Sequence, residues 1–255
     1  MAMIELLNLT KRYRDFTAVD HISLEVPQGA LFGFLGPNGA GKTTTLKMMA
    51  GVLKPTSGRI IINGMDLSRQ PSEVKRCIGF IPDRPFLYEK LSGNEFLQFI
   101  AGLYRMNHAP YLGKRIVELL EIFELSHWAD ELIESYSHGM KQRLVMCAAL
   151  LHKPKVLIVD EPMVGLDPKA ARLVKDIFKD QAENGTTVFM STHSLEVAQE
   201  VCQEIAIIQA GRIIASGTPD NLREKAGVAT GNLEKVFLKL TEGKTGIDEK
   251  SLSSS

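Results

Sequence analysis

The sequence predicts an α/β chain: a mainly parallel sheet covered by helices on both faces, interrupted by a mostly helical insert. Three observations predict it. Apolar runs of strand length alternate with helix-period segments along both ends of the chain. A glycine-rich turn at 36–41 stands between one such run and a helix. From 85 to 153 the apolar residues recur at three- and four-residue steps, as at Phe96, Phe99, Ile100, Leu103 and Tyr104, and again at Ile116, Leu119, Leu120 and Phe123.

In chain order, 4–9 and 22–26 read as short strands, the second closed by Pro27-Gln28-Gly29. Residues 30–35 form an apolar strand that ends at the glycine-rich turn. A helix follows over 42–50, with Gly51 as its C-terminal stop. Residues 59–63 form a strand, and Asn63-Gly64 a tight turn. Beyond the insert, 156–159 is a strand. Asp167-Pro168 opens a helix, the carboxylate as N-cap and the proline at its first position. Leu173, Val174, Ile177 and Phe178 are its buried face, and Asn184-Gly185 ends it. Residues 187–191 form a strand, 195–204 a helix, and 205–209 with 212–216 a hairpin across Ala210-Gly211. The polar stretch 241–255 reads as a disordered tail. There is no internal repeat.

The chain has 255 residues, enough for one large domain or two lobes around a sizeable core. Lys and Arg total 30, as do Asp and Glu, so no global field draws it to nucleic acid or an anionic membrane. Cys77, Cys147 and Cys202 are scattered, with no CxxC spacing. That argues against a disulfide framework or a zinc site, and for buried inert thiols in a reducing cytosol. The longest apolar run, 144–151, falls well short of the roughly 20 residues a membrane helix needs. The N-terminus lacks the basic-then-apolar pattern of a signal peptide. A membrane role therefore has to come through a partner.

Gly36-Pro37-Asn38-Gly39-Ala40-Gly41-Lys42-Thr43, followed by Thr44, is a phosphate cradle. Its glycines let successive backbone N–H groups turn toward one centre, and the helix behind adds its positive end. Lys42 reaches terminal phosphates, and the Thr43 hydroxyl suits Mg²⁺. Val156-Leu157-Ile158-Val159-Asp160-Glu161 is a buried strand ending in two acids at the edge where α/β sheets bind ligands. Two adjacent carboxylates there are costly without a cation or a task. Asp160 is expected to hold Mg²⁺ through water, and Glu161 to orient and deprotonate an attacking water.

These motifs, in this order, resemble the ATP-binding subunit of an ABC transporter over about residues 3–240. The resemblance implies a P-loop NTPase core with an N-terminal antiparallel β subdomain and a helical signature subdomain. It divides a single ATPase domain, 1–240, into a core lobe (1–84 with 154–240) and a helical lobe (85–153). Tyr136-Ser137-His138-Gly139-Met140 resembles the family signature, matching at Ser137 and Gly139 and departing at His138 and Met140. The resemblance implies that Ser137 and Gly139 complete the ATP site of a second copy in a head-to-tail dimer. Val164-Gly165-Leu166-Asp167 resembles the loop at that seam, His193 the residue that contacts the γ-phosphate, and Tyr13 the aromatic that stacks on adenine. After Ile78-Gly79-Phe80-Ile81-Pro82 the family commonly has Gln, where this chain has Asp83. A carboxylate there can ligate Mg²⁺ but cannot donate a hydrogen bond when ionised.

The same resemblance implies an ATPase with ATP and Mg²⁺ as cofactors. It would power an exporter-like transporter through a separate integral membrane permease, from the cytoplasmic face of the membrane and with no nucleic-acid partner. The cluster Phe86, Leu87, Tyr88, Leu91 and Phe96 is either a groove for that partner or the small core of the helical lobe. The competing reading is a soluble ABC-type ATPase acting on nucleic acid or ribosomes. It is disfavoured by zero net charge, a single cassette and no heptad run between Lys42 and Ser137. A GTPase or small-molecule kinase is disfavoured by the lack of an Asn-Lys-x-Asp segment.

Overall fold

A computed structural model describes residues 2–84, 86–106, 108–227 and 233–242. The chain opens with β1 (Ala2–Tyr13) and β2 (Phe16–Pro27), then β3 (Leu31–Leu35) and α1 (Lys42–Met49). β4 (Ser57–Ile62) and β5 (Met65–Asp66) turn across Asn63 and Gly64, both at positive φ. Next come α2 (Pro71–Arg76) and β6 (Ile78–Ile81). The insert supplies α3 (Gly93–Leu103), α4 (Leu112–Ile122) and α5 (His138–Leu151). β7 (Val156–Asp160), α6 (Pro168–Glu183), β8 (Thr187–Thr192) and α7 (Leu195–Val201) follow. β9 (Glu204–Gln209), β10 (Arg212–Gly217), α8 (Pro219–Lys225) and α9 (Leu233–Glu242) complete the described chain.

Two sheets result. One is antiparallel, in the order β2-β1-β4-β5. The other runs β10-β9-β3-β8-β7-β6, parallel throughout except for β10. Both faces of the parallel strands are covered, and strict alternation assigns each residue to a side. Leu31 and Leu35 of β3, Leu157 and Val159 of β7, and Val188 and Met190 of β8 join one core with α3, α4, α5 and α6. Phe32, Phe34, Val156, Ile158 and Phe189 join a second core with α1 and the antiparallel sheet. Phe32 stacks on Phe189 there at 5.5 Å.

The insert is helical, as the periodicity predicts. Ser92 and Glu95 form a reciprocal capping box that starts α3. The apolar run 144–151 becomes the buried C-terminal half of α5.

Several boundaries differ from expectation. β1 and β2 each run twelve residues, because bulges with Asn8 and His21 at positive φ shift the pairing and break the alternation. α7 stops at Val201 instead of Glu204: Cys202 is already extended, and Glu204 pairs with Phe32 in the sheet. α2 and β6 correspond to no sequence expectation. Thr241 and Glu242, expected in the disordered tail, close α9, while 243–255 lies outside the described residues. Cys147 and Cys202 are buried and free, and burial raises both thiol pKa values, that of Cys202 to about 12. Cys77 is only half-buried.

His152, just past α5, stacks on Tyr104 at 3.8 Å, with Nε2 3.0 Å from the Ile78 carbonyl. Burial lowers its pKa from 6.5 to about 4. Between those values the unfolded chain holds a proton that the folded chain does not. Stability therefore falls as pH drops through that window, by at most about 1.4 kcal/mol per pH unit. His152→Phe keeps the ring stack, and it is expected to flatten the decline in thermal midpoint between pH 6.5 and 4. Equal slopes in the two proteins, followed by circular dichroism, would reject that assignment.

Candidate functional site

The cradle lies where β3 meets α1. A Cβ on Gly36 would sit 2.3 Å from the Ile208 carbonyl oxygen, and one on Gly41 would sit 2.5 Å from that of Ala18. Gly41 also takes φ +106 as the residue before α1. Only glycine fits either place. Lys42, 5% exposed, donates from Nζ to the Gly36 carbonyl at 2.8 Å and the Pro37 carbonyl at 3.2 Å. The same Nζ lies 3.3 Å from Glu161 Oε1.

The two acids face different surroundings. Asp160, 1% exposed, accepts from Ser191 Oγ at 2.5 Å and from the Thr43 hydroxyl. Burial raises its carboxyl pKa and the nearby charges of Asp83 and Glu161 add to this, while the Ser191 and Thr43 hydrogen bonds oppose it. Glu161 has φ +49, a left-handed conformation that few residues with a Cβ adopt. Its amide donates to Ser191 O at 3.3 Å and Oγ at 3.2 Å. Its Oε2 lies 2.9 Å from His193 Nδ1, which as the donor must carry the hydrogen. Its Oε1 is buried and has only the neighbouring Lys42 charge, not a hydrogen bond.

A cleft of about 460 Å³ opens above these groups. It brings together Asn38, Gly39, residues 41–44, Asp83, Glu161 and His193, with Phe16 and Val164 completing the wall. Gly36, Pro37 and Ala40 shape the cradle without lining the cleft, and Asp160 sits beneath it against Thr43. Tyr13, 45% exposed, does not line it; its cross-strand partner Phe16, 63% exposed, does. Lys11 Nζ lies 5.1 Å from the Tyr13 ring. Sequence reasoning did not single out Phe16 or Ser191. The available signals were a second aromatic across a two-residue turn, and a hydroxyl two residues before His193.

Ser137, Gly139 and Asp167 do not line the cleft, although Val164 of the Asp167 loop does. Ser137 is exposed and N-caps α5, its Oγ accepting from the Met140 amide at 3.3 Å. Asp167 N-caps α6, accepting from the Ala170 amide at 2.9 Å, and that bond lowers its pKa. The loop before Asp167 leans on the start of α5: a Cβ on Gly165 would meet the His138 ring at 3.0 Å, and one on Gly139 would meet Leu166 at 3.9 Å. Among the described residues, no group of three His, Cys, Asp or Glu could hold a metal unaided. Nor is any described helix long and apolar enough to cross a membrane.

This chain is similar to known proteins over most of its length. The linearmycin resistance ATP-binding protein LnrL of Bacillus subtilis (strain 168) is 38% identical over 225 residues, 88% of this chain and 72% of the relative. The daunorubicin/doxorubicin resistance ATP-binding protein DrrA of Streptomyces peucetius is 38% identical over 224 residues, 88% of this chain and 68% of the relative. Two longer relatives, from Escherichia coli (strain K12) and Shigella flexneri, are also 38% identical, and this chain spans only 38% of their length. Among solved structures, an ATP-binding subunit of an ABC transporter superposes with a TM-score of 0.88 at 33% identity, covering 94% of this chain and 99% of that one. A dimeric ATP-binding cassette in a post-hydrolysis state, bound to ADP and Pi, gives 0.78 at 26% identity, covering 85% of this chain and 98% of that one. A family model described as ABC transporter matches residues 19–164, which hold the cradle, the signature and both acids, and the chain belongs to that family.

Proposed function

We propose that this chain binds and hydrolyses ATP and thereby powers an exporter through a separate integral membrane permease. The observation that carries the reading is the meeting of Lys42, Thr43, Glu161 and His193 around one cleft at the C-terminal edge of the parallel sheet. Lys42 and the cradle amides offset charge on the terminal phosphates. Glu161 accepts the proton of an attacking water, and His193 holds its carboxylate in place. An Mg²⁺ ion fits the Thr43 hydroxyl with Asp160, and Asp83 is a further carboxylate at the cleft, an all-oxygen set short of a full cage. When bound there, the ion would supply positive charge that offsets the negative charge developing during transfer. Phe16 and Tyr13, paired across their hairpin, offer aromatic surface for the base.

Ser137 and Gly139 stand outside the cleft of their own chain, which supports a head-to-tail pair in which each signature closes the other copy's site. That a similar solved cassette is dimeric supports the pairing of two copies. The core lobe (1–84 with 154–240) and the helical lobe (85–153) are the parts such closure would move. Drug-resistance relatives support the export reading; attachment through the permease at the cytoplasmic face of the membrane, without a nucleic-acid partner, belongs to the same proposal. In mild detergent the chain is expected to co-purify with an integral membrane protein and to hydrolyse ATP. A chain without ATPase activity, alone and in that complex, would refute the reading.

A further inference from the structure

Gln142 is out of keeping with the apolar helix around it. It lies in the second turn of α5, is 1% exposed, and stands two residues before a run of buried apolar residues that begins at Leu144. Its Nε2 donates to the Pro162 carbonyl at 3.2 Å. A carbonyl can only accept, so the amide orientation is fixed. Its Oε1 is buried without a hydrogen-bond partner. A half-satisfied buried amide is a poor choice for stability where leucine or methionine fits.

The destination of the one bond it makes gives it a different use. Pro162 directly follows Glu161, whose backbone is held at φ +49 and whose amide and carboxylate are tied to Ser191 and His193. The same loop meets α5 again, at His138 beside Gly165 and Gly139 beside Leu166. The helix that exposes Ser137 thus grips both ends of the loop that begins after Glu161.

We infer that Gln142 is a positioning residue: it passes displacement of the Ser137 end of α5 to the peptide after Glu161, and so sets the carboxylate's aim. This rests on the ATPase reading of the cleft. Gln142→Met keeps nearly the same length but removes the donor. It is expected to lower kcat for ATP hydrolysis about tenfold, with KM for ATP changing by less than about twofold. A residue that only braces the fold would lower the thermal midpoint and leave the kcat of folded protein intact. Combined with Ser137→Ala, it is expected to cost no more than the larger single loss, because both break one link.

A wild-type kcat in Gln142→Met, or fully additive losses in the double variant, would overturn the inference. If Gln142→Met does not fold, Gln142→Leu, which also lacks the donor, is read by the same measurements. Glu161→Gln runs alongside. If it hydrolyses ATP normally, the assignment of Glu161 fails; if it is inactive while Gln142→Met is normal, only the coupling fails.

Discussion

Glu161→Gln is expected to slow ATP hydrolysis by on the order of 10²–10⁴-fold, the usual contribution of a positioned general base. That is about 2.7–5.5 kcal/mol of barrier. The amide keeps the shape of the side chain but cannot take up a proton. The cradle glycines and the Lys42 contacts to Gly36 and Pro37 do not depend on the carboxylate, so nucleotide still binds. A protein that binds ATP without consuming it should accumulate as the closed pair, eluting as a dimer on size exclusion only when ATP is present. Unchanged turnover would remove Glu161 from the base role. A monomer at every ATP concentration, with hydrolysis blocked, would instead remove the shared-site arrangement.

Lys42→Ala is expected to weaken ATP binding by on the order of 10²–10³-fold. Truncating one partner of a buried, hydrogen-bonded charge pair across a binding interface typically costs about 2–5 kcal/mol, at about 1.4 kcal/mol per tenfold. The loss falls on binding more than on folding. Gly36 and Pro37 each lose a donor and Glu161 Oε1 loses its charge partner, but Gly36 stays fixed through its amide to the Thr192 carbonyl and the Glu161 carboxylate keeps His193. Titration with a fluorescent nucleotide, beside an unchanged circular dichroism spectrum, reads the two effects separately. Wild-type affinity in the folded variant would refute the cradle.

The legible part of the sequence was local. The cradle is a contiguous string whose glycines and lysine act within a few residues of each other, and Asp160-Glu161 ends a strand apolar enough to be unmistakable. The hidden part depends on neighbours distant in the chain. Ser191 joins Asp160 to the Glu161 amide only because β8 lies beside β7 in one particular register. Phe16 lines the cleft while Tyr13 does not, a difference of hairpin geometry that two aromatics three residues apart do not reveal. β6, only four residues long, and α2, only six, are too short for a periodic signal. The bulges at Asn8 and His21 disguise twelve-residue strands as short ones, because each reverses the sense of alternation.

The alternation in β7 has a consequence for how chemistry and folding are tied together. Val156 and Ile158 go to one core, Leu157 and Val159 to the other, and Asp160 then stands opposite Ser191 at the strand's end. If this strand slipped by one residue, every apolar side chain would point to the wrong layer and Val159 would take the place opposite Ser191. The frame that lets the chain fold is therefore the frame that aims its acids, and an insertion or deletion inside β7 forfeits both at once.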